Sequence, residues 1–133
     1  MQARRREYFS VDVEDRPGEL FRFALKMKEA GIHLSALWAF GQGHGHAKIF
    51  AVAEDLPKLV AALKGAGYAG KEHTCFELTG DDKVGALIET LDLIEGHGIN
   101  LHAVDAIGAG GRCLCYLWSA QADVDQIGKL LGC

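Results

Sequence analysis

Residues 13–20 read VEDRPGEL, and the chain returns to the same theme at 81–87 with DDKVGAL. Each stretch sets an acid and a glycine between an apolar run and a helical stripe. Sliding the chain by 67 residues brings Asp15 onto Asp82, Gly18 onto Gly85 and Leu20 onto Leu87. The same shift carries Phe9 onto Phe76, Gly31 onto Gly98, Ile32 onto Ile99, Leu34 onto Leu101 and Gly41 onto Gly108. It also pairs Gly43 with Gly110, Leu63 with Leu130 and Gly65 with Gly132. Self-similarity at a fixed period is the signature of a repeated structural unit. The chain therefore divides into a first repeat, residues 1–70, and a second, residues 71–133.

The first copy sets the element order. YFSVDV (8–13) alternates and is rich in aromatic and β-branched residues, as a strand requires. From Gly18 to Ala30 the apolar residues Leu20, Phe23, Ala24 and Met27 make a helical stripe, repeated in the second copy as Leu87, Leu91 and Ile94. Gly31 and Gly98 stand where a left-handed helix cap is expected. IHLSALWAF (32–40), the turn GQGHGH and AKIFAVA (47–53) form a hairpin. Asp55 caps a second helix with Pro57 in its first turn, and Val60 and Leu63 face inward, mirrored by Ile127 and Leu130. The order strand, helix, strand, strand, helix occurs twice, in an α+β fold of two tandem ferredoxin-like βαββαβ repeats. The second copy ends at Cys133 with no fourth strand of its own. The expectation is a long strand near 71–79 serving both copies, or an edge completed by a partner chain.

VEDRPGEL followed by AGIHL, with DDKVGAL followed by HGINL, resembles the ACT domain family over nearly the whole chain. The resemblance implies βαββαβ units packed side by side in one continuous antiparallel sheet, with the helices on one face. It implies a regulatory module that binds a free amino acid between paired units, near the corner and the start of the second strand. Further implications are a homodimer and an enzyme or regulator as the regulated partner. Val84 stands where the first copy has Pro17, so the two corners are not equivalent.

The chemistry of the corner fits that expectation. A helix start leaves about four backbone N–H groups without intrahelical partners, and the helix dipole adds positive potential. A carboxylate suits that place, Gly18 lets it approach and Pro17 fixes the preceding backbone. The candidate ligand-binding residues are Asp15, Arg16, Pro17, Gly18, Glu19 and Leu20, with Asp82, Lys83, Val84, Gly85, Ala86 and Leu87. The resemblance adds His33 and Asn100, ahead of the second strand in each copy. Asn100 carries both donor and acceptor for a zwitterion.

The remaining residues point elsewhere or nowhere. His44 and His46 could face one way in a strand, but they sit in a glycine-rich turn that reads GAGGR in the second copy. No metal and no cofactor is expected. Cys75, Cys113, Cys115 and Cys133 lack zinc or redox spacing; the first three read as small apolar fillers and Cys133 as an exposed thiol. Trp38 and Trp118 are expected to be packing or interface anchors. No nucleophile with an activating base can be named, so no enzyme is expected. Two alternatives remain: an assembly module without ligand, and a small acylphosphatase-like enzyme using Arg16.

Size and charge set the outer limits. The chain has 133 residues, 49% hydrophobic and 24% charged, with a net charge of −4. That composition excludes a disordered chain, and the acidic balance gives no general attraction to nucleic acid. No apolar run reaches the roughly 18 residues of a membrane span, and MQARRREYF lacks a signal-peptide pattern, so a cytoplasmic location is expected. Arg4, Arg5 and Arg6 read as a solvated tail.

Overall fold

The computed structural model describes residues 1–133 and contains six strands and four α-helices. In chain order they are β1 (Gln2–Glu14), α1 (Glu19–Glu29), β2 (Leu34–Gly43), β3 (His46–Ala53), α2 (Leu56–Gly65) and β4 (Gly70–Asp81). The second copy continues with α3 (Ile88–Glu95), β5 (Leu101–Ala109), β6 (Arg112–Ser119) and α4 (Val124–Leu131). The strands form one antiparallel sheet in the order β2-β3-β1-β4-β6-β5. Six strands do the work of two four-stranded units because β1 and β4 are long and each is divided between the units. One unit comprises residues 7–73, the other residues 1–6 with 74–133.

In the unit of residues 7–73, Phe9 and Val11 of β1 alternate onto the same face as Ile49, Ala51 and Ala53 of β3. Phe23 and Met27 of α1 and Leu59, Val60 and Leu63 of α2 close on that face. Both helices therefore cover one side of these strands. Two expected members of the α1 stripe do not join: Leu20 and Ala24 are exposed. The helix begins only at Glu19, so Leu20 lies in its first turn, beside the corner rather than over the core. The Asp55 carboxylate accepts from the Lys58 amide at 3.1 Å, the cap anticipated for α2.

In the other unit, Phe76 and Leu78 of β4 and Cys115 and Leu117 of β6 face Ile94 of α3 and Val124 and Ile127 of α4. Ile127 is buried as expected, but Leu131 rather than Leu130 packs on this core. The reason lies in the link before the helix: β6 ends at Ser119 and α4 begins at Val124, whereas β3 ends at Ala53 and α2 begins at Leu56. This longer connection more than offsets a one-residue slip the other way in the hairpin, where β1 pairs Val13 with Ala47 but β4 pairs Gly80 with Cys113.

The fourth strand of this unit comes from the start of the chain. Residues 2–6 of β1 belong to it, and Ala3 packs against its core. The arginines here are not a solvated tail. Arg6 is 8% exposed and Glu77 7%. Glu77 accepts from Arg6 Nη1 at 2.9 Å, Arg4 Nε at 2.7 Å and the Tyr116 hydroxyl at 2.6 Å. Burial alone would raise the Glu77 carboxyl, but the hydrogen bonds from Arg4 and Tyr116 and the two guanidinium charges outweigh it and hold it below the usual range. Arg5, on the opposite face of the strand, lies across Gly128 of α4, bonds Asp125 at 3.0 Å and donates to the Cys133 carbonyl at 3.2 Å. The charge pattern RRR is thus a strand whose alternating side chains find acids or carbonyls on both faces.

The cysteines agree with their reading as fillers for Cys75, Cys113 and Cys115, all buried; Cys133 is half-buried rather than exposed. Trp118 stacks on Tyr116 at 6.1 Å. No helix is long and apolar enough to cross a membrane.

Candidate functional site

The corner after β1 is built by backbone hydrogen bonds, the Arg16 amide donating to Glu14 at its start. The Asp15 amide donates to Gly45, the Glu19 amide to Arg16 and the Arg22 amide to Gly18. Gly18 sits at φ 89, a left-handed conformation that a side chain would strain, and it opens α1 without any side-chain cap. Around it runs a chain of charges. Arg16 bonds Glu14 at 2.7 Å and Glu19 at 2.6 Å, and Arg22 bonds the same Glu19 oxygen at 2.7 Å. Hydrogen bonds from Arg22 and then Arg16 hold Glu19 below the usual carboxylate range, and Glu19 in turn raises Arg16.

The corner after β4 follows the same plan with different side chains. The Asp82 amide donates to Gly111, Ala86 to Lys83 and Ile88 to Gly85, which sits at φ 73. Helix α3 starts at Ile88, three residues after Gly85, whereas α1 starts directly after Gly18, so the second corner is longer by about half a turn. Val84, in place of Pro17, is fully exposed.

Asp15 and Asp82 share a role that the sequence did not reveal. A β-carbon placed on Gly41 of β2 would lie 2.7 Å from Asp15 Oδ2, and one on Gly108 of β5 would collide with Asp82 Oδ2. Each aspartate thus lies over a glycine on its own second strand. Gly41 was read as part of a hairpin turn, yet it lies within β2. The matched identity of both the aspartate and the glycine in the two copies was the available signal.

Beside each corner is a depression. Asp15, Arg16, Glu19 and Leu20 line one of about 210 Å³ with Phe40 and Gly41. Asp82, Lys83, Gly85, Ala86 and Leu87 line one of about 340 Å³ with Ile107, Gly108 and Cys113. On the other flank of the second corner, Lys83, Val84, Gly85 and Ala86 border a cleft of about 580 Å³ with Glu89 and Arg112. Pro17 and Gly18 shape the first turn without lining its depression.

His33 and Asn100 are not brought to the corners of their own units. His33 lies beyond the far end of α1, whose 11 residues span roughly 16 Å, and lines a separate depression with Met27 and Gly31. Asn100 is exposed ahead of β5. His44 takes a left-handed φ of 55 in the β2–β3 turn, and no group of three or more histidine, cysteine or acidic side chains is placed to hold a metal.

No protein-family model and no curated protein matches the chain. Solved structures do. A Bacteroides thetaiotaomicron protein superposes with a TM-score of 0.86 at 18% identity, covering 98% of this chain and 88% of that one. The ligand-free regulatory subunit of aspartate kinase from Thermus thermophilus superposes with a TM-score of 0.64 at 12% identity, covering 99% and 95%. Escherichia coli aspartokinase III, in complex with aspartate and ADP, matches over 97% of this chain and 31% of its own, with a TM-score of 0.57 at 15% identity. The fold is the ACT type, as two tandem ferredoxin-like repeats.

Proposed function

We propose that this chain is a regulatory module that binds a free amino acid at a helix-entry corner and thereby modulates a partner protein or its own assembly. The observation that carries this reading is the doubled corner. Each copy has an aspartate laid over a strand glycine, a left-handed glycine at or shortly before the helix entry and a depression alongside. A small zwitterion finds there an acid for its ammonium and amides or a cation for its carboxylate. The fold similarity to a regulatory subunit of aspartate kinase supports regulation as the role.

A homodimer would complete the site by bringing His33 or Asn100 of a second copy to the corner. The exposed apolar residues support association. Phe21 and Ile88 match across the repeat, as do Phe40 and Ile107, and Leu37 and Val104, and all six are exposed. Four of them lie on β2 and β5, the two strands that end the sheet. Unpaired edge strands carrying apolar side chains favour pairing. The reading assigns the chain no catalysis. An acylphosphatase-like use of Arg16 is disfavoured because that guanidinium is held by Glu14 and Glu19.

A thermal-shift screen over the twenty amino acids tests the proposal. A ligand at 100 times its dissociation constant adds about 2.7 kcal/mol to stability. A shift with one or a few amino acids is the expected result. No shift with any of them would overturn the sensing role and leave assembly as the function.

A further inference from the structure

The two corners share a backbone plan but not a charge plan. In the first, Glu19 is only 14% exposed at its side chain and takes both Arg16 and Arg22. Arg16 is further occupied by Glu14. Every cation of that corner is already held by the corner's own carboxylates. At the matching positions the second copy has Lys83 for Arg16, Ala86 for Glu19 and Glu89 for Arg22. Ala86 offers no carboxylate, and Lys83 has no acid within ion-pair distance. The nearby Asp81 is itself bound by Arg112 at 2.6 Å.

We propose that Glu19 is a built-in anion that occupies the first corner, so that the second corner alone takes the free amino acid. This inference rests on the amino-acid-binding role and adds which corner works and what class of ligand it takes. Lys83 holds the ligand carboxylate at the corner, and Asp82 faces the ammonium. The remaining lining is apolar, from Leu87, Ile107 and Cys113, and it suits an aliphatic side chain. A volume of about 340 Å³ is at the small end of ligand pockets, the scale of an amino acid rather than a nucleotide.

The physical difference between the corners is the state of their cations before binding. An incoming carboxylate at the first corner must displace Glu19 from two charge-assisted hydrogen bonds. At the second it displaces only water from Lys83. Related turns therefore do not make equal sites.

Isothermal titration with L-alanine, L-valine, L-leucine, L-isoleucine and L-aspartate as probes decides the matter. One equivalent of an aliphatic amino acid per chain is expected, with aspartate weaker. Ala86→Glu supplies the second corner with its own anion and is expected to abolish binding. Lys83→Gln removes one charge-assisted contact and is expected to weaken binding about tenfold or more. Should Ala86→Glu fold poorly by circular dichroism, Lys83→Gln carries the test. Glu19→Ala frees Arg22 outright, leaves Arg16 only its contact with Glu14, and is expected to raise the stoichiometry to two. Two equivalents in the unaltered protein, tighter binding of aspartate, or affinity unmoved by Lys83→Gln would overturn the inference while leaving amino-acid sensing intact. No heat with any probe, together with no thermal shift, would remove the sensing role itself.

Discussion

Replacing Glu77 with glutamine probes the joint between the chain's first residues and the repeat they complete. The carboxylate receives Arg6, Arg4 and the Tyr116 hydroxyl within 2.9 Å, and Arg6 is almost as buried as Glu77 itself. Removing one partner of a buried ion pair costs about 3–5 kcal/mol, because the other charge stays buried without compensation. Glutamine keeps one carbonyl acceptor for Arg6, and Arg4 is more than half exposed, so water can take its share. The expected loss is therefore about 2–4 kcal/mol, which lowers a urea midpoint by about 1–2 M at an ordinary slope. The double variant Arg6→Met with Glu77→Leu removes both charges and should recover much of that loss. Acid titration gives a second arm. The Glu77 carboxyl lies below its ordinary value in the folded protein, so it stabilises the fold above that ordinary value. The contribution disappears as pH falls through the lower folded value. Glu77→Gln should flatten that part of the stability profile. A urea cost below about 1 kcal/mol, with the acid profile unchanged, would refute the claim that this cluster fixes the first strand in place.

Other outcomes can be checked on the same protein. Gly41→Ala puts a β-carbon 2.7 Å from Asp15 Oδ2 and should displace that carboxylate, yet change stability in chemical denaturation by less than about 1 kcal/mol because both residues are exposed; Gly108→Ala should likewise displace Asp82 and weaken amino-acid binding in titration. Asp55→Ala removes the cap on the Lys58 amide and should cost about 1 kcal/mol in a thermal melt. Burial pushes the Cys115 thiol up to about 12, so thiol reagents at neutral pH should label Cys133 first and Cys115 only on unfolding, as mass spectrometry of the labelled protein will show.

The repeat, the α+β class and the order of elements were legible because both copies carry the same helical stripe and the same corner glycines. Periodicity is a local property, and two copies agreeing on it reinforce each other. The corners were legible for the same reason, since an acid, a turn and a glycine at a helix entry are neighbours in sequence. The slip between Leu130 and Leu131 was not visible, because the longer link between β6 and α4 leaves the helical stripe itself unchanged. The placement of Leu20 beside the corner, rather than in the core, likewise depended on where α1 actually begins.

By itself the sequence determined that one unit occurs twice and that each unit enters its first helix through an open turn. Only the tertiary structure decided that Arg4, Arg5 and Arg6 form a strand of the second unit, that Asp15 and Asp82 lie on Gly41 and Gly108, and that Glu19 holds both arginines of its corner. Hydrophobic period and turn chemistry act between residues a few positions apart and can be read along the chain. A charge's partner is chosen by distance in space. Arg6 and Glu77, 71 residues apart, meet only after the strands have found their register.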